Sequence, residues 1–97
     1  MNKSDLISKL ADKLEIPKVR AADYVNGVFD LMQDHLTSGS DEEPAKVTIS
    51  DFGTFTVSKR RAFKGHNPKS GTSIEVPERR IPVFRAGKAL KKSLNPE

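Results

Sequence analysis

From Ser58 to Gly71 the chain offers one sizeable apolar side chain, Phe63; the rest of the stretch is basic, polar, Gly or Pro. Alternating segments flank it, with Phe55 and Val57 before and Ile74 and Val76 after. Period-two spacing of this kind predicts two strands joined through the stretch. A hairpin over 58–73 with almost no apolar face has little to give a core, and an isolated two-stranded ribbon is marginal in water. It is therefore expected to project from whatever the rest of the chain builds. A projecting basic ribbon is either disordered or a grip for something anionic.

The charge distribution bears on that choice. Residues 1–57 hold six bases and ten acids, a balance of −4, whereas residues 58–97 hold eleven bases and three acids, a balance of +8. The asymmetry suggests a polyanionic partner for the second half. A merely soluble basic surface is the plainer alternative.

The remaining segments outline a small α+β domain. Leu6, Leu10 and Leu14 recur every four residues beside Ile7, predicting an amphipathic helix. Asn2 can cap it, and Asp5 sits near its positive end. A second helix is expected from about Pro17 or Lys18 to about Ser38. Ala22, Val25, Phe29, Met32 and Leu36 mark one face, widened by Ala21, Val28 and Leu31. Gly39 is expected to stop it in the left-handed conformation. Ser40–Pro44 reads as a solvated acidic loop, since it lacks the spaced oxygen ligands of a calcium motif. Val47 and Ile49 then alternate on a strand, Asp51–Thr54 reads as a tight reversal, and Pro77 and Pro82 confine the returning strand to an edge or break it. A short final helix is expected from about Gly87 to Leu94.

Four runs now carry a resemblance. Met1–Ile7, Asp51–Phe55, Gly65-His66-Asn67-Pro68-Lys69-Ser70-Gly71 and Pro82–Lys91 resemble, in order and spacing, the start, strand turn, arm tip and closing segment of the bacterial HU and integration host factor family. The resemblance spans the whole chain and implies an intertwined dimer. Each chain would supply an N-terminal helical hairpin (1–39), a three-stranded antiparallel sheet (46–84) extended by a β-ribbon arm (58–73), and a short C-terminal helix and tail (85–97). It implies a non-enzymatic architectural protein that grips the minor groove of double-stranded DNA with its arms and bends and compacts it. The dimer would be a homodimer, or a heterodimer with a paralogue.

The same resemblance assigns the site. Pro68 at the arm tip is the expected wedge between base pairs; alone, Asn67-Pro68 would read only as a turn start. Arg60, Arg61, Lys64, His66, Asn67 and Lys69 are expected DNA contacts along the arm. Strand alternation places Arg60, Ala62, Lys64 and His66 on one face if no bulge intervenes. Phe63 and His66 depart from the family, which more often carries Arg there. Lys3, Arg79, Arg80, Arg85, Lys88 and Lys91, with Lys92, are expected on the floor and flanks of the DNA seat, some of them as plain solubility charges. Phe29, Phe52, Phe55 and Phe84 are the expected dimer core, with Gly53 and Gly87 serving backbone geometry.

Other classes find less support. Without cysteine there is no disulfide framework or cysteine zinc site, and no cofactor or metal is expected. His35 and His66 fall on different elements, and no phosphate-binding glycine loop occurs. No stretch approaches the roughly 18 apolar residues of a membrane span, and Met1–Asp5 lacks a signal-peptide core, so a cytoplasmic, nucleoid location is expected. The alternatives are a site-selective subunit like integration host factor, disfavoured by Asp51 where one such subunit carries Arg, and a dimeric scaffold without DNA function.

Ninety-seven residues suit one small domain that buries little of its own surface. The broad stripe on the second helix and the separated Phe residues therefore predict obligate dimerisation. The thermal midpoint should rise with protein concentration, because folding and association are linked. A concentration-independent midpoint with a monomer mass in sedimentation would contradict it.

Overall fold

The computed structural model describes residues 1–66, 69 and 71–96. Its elements are α1 (Lys3–Leu14), α2 (Lys18–Thr37), β1 (Lys46–Ile49), β2 (Gly53–Arg60), β3 (Phe63–His66), β4 (Ser73–Val76), β5 (Arg79–Ala86) and α3 (Lys88–Leu94). They fall into two compact units that divide between Asp34 and His35.

In the first unit, α1 opens with a reciprocal cap. The Asp5 backbone N–H donates to Asn2 Oδ1 at 2.8 Å, and the Asn2 N–H donates to Asp5 Oδ2 at 3.1 Å, so two otherwise orphaned donors are satisfied. The helix closes at Glu15, whose φ of 55° is left-handed and whose N–H reaches Ala11 and Asp12 carbonyls. Ile16 N–H also bonds the Ala11 carbonyl. The stop thus comes from a left-handed cap ahead of Ile16-Pro17, on a residue that carries a Cβ. Small side chains make the buried centre: Ala11, Ala21 and Val25. Leu14, expected on the inner stripe, is half-exposed beyond the last full turn, and Val28, Phe29 and Leu31 of α2 lie open to solvent.

The second unit begins with the end of α2. There the Ser38 N–H and hydroxyl both donate to the His35 carbonyl, at 3.1 and 2.6 Å. Gly39 is not left-handed, contrary to expectation; Gly71 is the one glycine with positive φ among the described residues. What Gly39 supplies is room, since a Cβ there would collide with the Ala45 backbone nitrogen. The following loop closes on itself: Ser40 N–H donates to the Glu43 carbonyl and Glu43 N–H to Ser40 Oγ.

β1, β2 and β5 form an antiparallel sheet in the order β1-β2-β5. Ile49 pairs with Gly53, so the reversal is Ser50–Phe52, earlier than the expected Asp51–Thr54. Asp51 takes φ 66° at its third position, and Phe52 N–H closes it on the Ile49 carbonyl at 3.0 Å. Positive φ at that position is the demand of a type II turn. Pro82 lies opposite Val57 on β5, an edge strand, as its missing N–H requires.

Opposed residues share a face, and the register sorts the sheet cleanly. One face carries Val47, Ile49, Phe55, Val57, Pro82 and Phe84, ending in Lys59 opposite Arg80. The other carries Lys46, Thr48, Thr54, Thr56, Ser58 and Arg85 beside Ile81 and Val83, ending in Arg60 opposite Arg79.

Among the described residues, β3 and β4 pair only with each other. Arg61-Ala62 on one strand and Pro77-Glu78 on the other separate them from the β2–β5 ladder. The gaps are equal, so no bulge intervenes, and Pro77, lacking an N–H, stands in the interruption. Partner strands also give the ribbon an apolar face that its first strand alone conceals. Phe63 pairs with Val76 and Gly65 with Ile74, while Lys64 lies opposite Glu75 and His66 opposite Ser73.

Gly53 tests the packing of the apolar face. A Cβ there would stand 2.5 Å from Phe84 Cε1 and 2.6 Å from the Arg85 carbonyl oxygen. Gly53→Ala should cost about 1–3 kcal/mol through overpacking. Gly65→Ala, whose Cβ would meet only Phe63 at 3.7 Å, should be close to neutral. Denaturant midpoints of the two variants at one protein concentration distinguish them.

Candidate nucleic-acid interface

The polar face of the sheet is a shallow groove of about 550 Å³, lined by Lys46, Thr54, Thr56, Ser58, Arg60, Val83 and Arg85 among others. Apart from Val57, which also lines it, these positions follow from the two-residue period. Hydroxyls run along its middle: Thr54 Oγ1 donates to Thr48 Oγ1 at 3.4 Å, and Thr56 Oγ1 donates to the Ala45 carbonyl at 3.5 Å. Cations close its ends. Arg60 and Arg79 stand directly opposite each other, both exposed. Like charges so placed repel unless something neutralises them, and no ion pair to either is seen among the described residues.

The other like-charged pair, Lys59 and Arg80, has been dealt with internally. Lys59 Nζ lies 3.2 Å from Asp41 Oδ2 and 3.0 Å from Glu78 Oε1. Arg80 Nε is 3.9 Å from Asp41 Oδ1, and its Nη2 donates to the Gly39 carbonyl at 3.2 Å. The acidic loop is therefore tied to the root of the ribbon. Arg80, expected with Arg79 and Arg85 on the floor of the site, lies on the opposite face and is engaged by the chain itself. The hydrogen bond from Lys59 to Glu78, then that to Asp41, raises the ammonium above the ordinary lysine value of 10.5.

The other expected site residues are distributed as follows. Arg61 is exposed between the two ladders, and Lys64 and Lys69 are exposed on the ribbon. His66 lies in the β3 backbone. Asn67 and Pro68 lie outside the described residues. Lys88, Lys91 and Lys92 are exposed on α3, whose N-cap Gly87 donates its N–H to the Phe52 carbonyl at 2.8 Å. Gly53 and Gly87 both serve close approach of neighbouring groups rather than positive φ. Lys3 belongs to the first unit, where its Nζ donates to Asn26 Oδ1 at 2.8 Å. Lys46, Thr48, Thr54, Thr56 and Ser58 escaped the sequence reading, although parity with Arg60 along β2 would have found three of them.

On the apolar face, Phe84 lies between Phe52 and Phe55, with ring centroids 5.6 and 4.7 Å away. Phe52 and Phe84 remain 44% and 42% exposed, so this cluster presents apolar surface outward, as Phe29 does in the first unit. Among the described residues, no group of His, Cys, Asp or Glu is arranged to hold a metal ion, and no helix is long and apolar enough to cross a membrane.

Residues 1–95 match the family model described as bacterial DNA-binding protein. The chain belongs to this family. It is 40% identical over 95 residues to DNA-binding protein HRm of Rhizobium meliloti, covering 98% of this chain and 100% of that one. It is 42% identical over 91 residues to DNA-binding protein HU of Staphylococcus aureus, covering 94% and 96%. Its fold matches that of HU in an Anabaena HU–DNA cocrystal, with a TM-score of 0.86, 32% identity and full coverage of both chains. The family fold is α+β with N-terminal helices and antiparallel strands, as found here.

A titration checks the ion-paired root of the ribbon. Because the folded-state pKa of Lys59 is raised, the pairing stabilises the fold fully below the ordinary value of 10.5 and is lost as pH rises through the higher folded-state pKa. An NMR titration of Lys59 should give a midpoint above 10.5, and Asp41→Asn with Glu78→Gln should return it to the ordinary value.

Proposed function

We propose that this chain is a sequence-tolerant, non-catalytic architectural protein of HU type, which dimerises, binds double-stranded DNA and bends and compacts it within the nucleoid. The observation that carries the reading is the uncompensated Arg60–Arg79 pair at the end of a polar groove whose other rim holds Lys46 and Arg85. Phosphates supply the missing negative charge there, and the Thr48 and Ser58 hydroxyls offer them hydrogen bonds. The family membership and the HU–DNA relative support the same reading; a site-selective role is not favoured.

Division of labour follows from chemistry. Arg60, Arg61, Lys64, Lys69, Arg79 and Arg85 neutralise phosphates or enter the narrow groove, with His66 and Asn67 adding polar contacts at the arm end. Lys88 and Lys91 flank the seat, and Lys3 of the first unit is a further phosphate contact. Pro68 is the wedge, as in the minor-groove mechanism of HU and integration host factor. Arg80 joins only where phosphate displaces Asp41. Phe29, Phe52, Phe55 and Phe84 form the contact between two copies, which removes their exposed rings from water.

Mutants separate wedge from cations. Pro68→Ala keeps the charges, so affinity for straight duplex should drop little while the bend relaxes. Arg60→Ala with Lys64→Ala keeps the wedge, so affinity should weaken and the salt slope should flatten by up to about 2 units. Nicked DNA, already easy to unstack, should rescue Pro68→Ala more than the double mutant. End-to-end fluorescence transfer on intact and nicked duplexes, with binding measured in parallel, reads both effects. A Pro68→Ala protein that bends intact DNA as sharply as the parent would make Pro68 a turn residue only, and absence of salt-sensitive binding by the parent would end the DNA reading.

A further inference from the structure

The β3–β4 ribbon carries an apolar strip that the phosphate chemistry above does not use. Phe63 and Val76 are opposed, Gly65 and Ile74 are the next pair on the same face, and Pro77 and Ala62 adjoin them. Phe63 is 54% exposed and Ile74 45%. The Phe63 ring lies along Gly65, with Cε2 3.7 Å from where a Gly65 Cβ would sit. It thus covers the bare glycine backbone while leaving its outer surface open. No other strand pairs with this ribbon among the described residues.

An exposed aromatic on a two-stranded ribbon is a liability for aggregation, so its exposure calls for a partner. Cations outnumber acids around the strip: Arg61 and Lys64 lie on either side of Phe63 along the chain, against Glu75 between Ile74 and Val76, and Arg60 and Arg79 close the adjoining ladder, all of them exposed. That combination excludes a purely apolar partner and favours a surface that alternates apolar patches with negative charge. The wall of a DNA minor groove is such a surface, with C–H edges of deoxyribose below and phosphates along the rim.

We propose that Phe63, Ile74 and Val76 seat against the deoxyribose wall of the minor groove and supply a share of DNA affinity that salt does not screen. The proposal rests on the DNA-binding reading above. Phosphate contacts by Arg60 and Lys64 set the salt slope; the strip acts through apolar burial, which added salt leaves in place. Phe63 is then a binding residue that holds the arm in the groove when counterions compete for the arm's cations.

Binding of the full-length protein to duplex DNA across a salt series tests this, with the parent, Phe63→Ser, Phe63→Leu and Ile74→Ser compared. Burial of the exposed half of one ring corresponds to roughly one decade of affinity. Phe63→Ser should therefore weaken binding by about tenfold at every salt concentration with the slope unchanged. Phe63→Leu should keep most of the affinity, and Ile74→Ser should lose part of it. Thermal midpoints like the parent's show that the fold survives. If the parent binds and Phe63→Ser binds equally well at high salt, the strip does not touch DNA and the proposal fails while the DNA reading stands. If Phe63→Ser instead alters the association of DNA-free protein in sedimentation, the strip is a contact between copies and the proposal is overturned. If the parent shows no binding, both readings fall.

Discussion

One antiparallel ladder, Gly53 opposite Ala86 through Arg60 opposite Arg79, organises the functional half of this chain. Its hydrogen bonds hold residues of like parity across from each other, and everything chemical follows from that sorting. Even-numbered β2 positions line up hydroxyls and arginine on one face; odd-numbered positions line up glycine, phenylalanine, valine and lysine on the other. Gly53 matters because the ladder brings Phe84 and the Arg85 carbonyl where a side chain would otherwise go. The tilted stack of Phe52, Phe84 and Phe55 over it is the dividend of that vacancy, and aromatic packing of this kind adds to simple area burial.

Charge is handled differently on the two faces. Lys59 and Arg80 are satisfied by Asp41, Glu78 and the Gly39 carbonyl. Arg60 and Arg79 are left facing each other and the solvent. Exposed ion pairs contribute little to stability, so the value of the first arrangement lies in where it points the charges rather than in the fold energy it adds. Acids on the apolar side suppress positive potential there; among the described residues the polar face of the three-stranded sheet carries none, and positive potential is concentrated on it. The protein therefore has a directional field built from a chain whose total charge is only +4.

Much of this was legible in the residues. Asn2 announced the helix cap, Pro82 the edge strand, and the run from Ser58 a ribbon paired apart from the sheet. The features that were not legible depend on partners distant in sequence. Alternation tells which residues share a face of one strand but not which strand lies opposite, so the pairing of Phe63 with Val76 stayed hidden, and with it the ribbon's apolar side. Arg80 read as one of a basic pair because adjacency in sequence says nothing of opposite faces being served by different neighbours. Gly39 and Asp51 were misread for another reason. Glycine has two uses, left-handed backbone and absence of a side chain, and local sequence does not reveal which is needed; here Gly39 gives room, while Asp51 takes the left-handed turn despite its Cβ.

The matched gaps beside Pro77 have an evolutionary corollary. Two residues drop out of pairing on each strand, so the ribbon resumes with the parity it had in the sheet. Removing one residue from a single strand would turn Lys64 toward the side now held by Phe63 and exchange the roles of the ribbon's two surfaces. Lengthening or shortening by one residue on both strands together would leave every opposed pair beyond the gap intact, though the outer ribbon would rotate as a block relative to the sheet. Viable length variation in descendants of this chain is thus expected to arrive in doubled steps, two residues on each side at once.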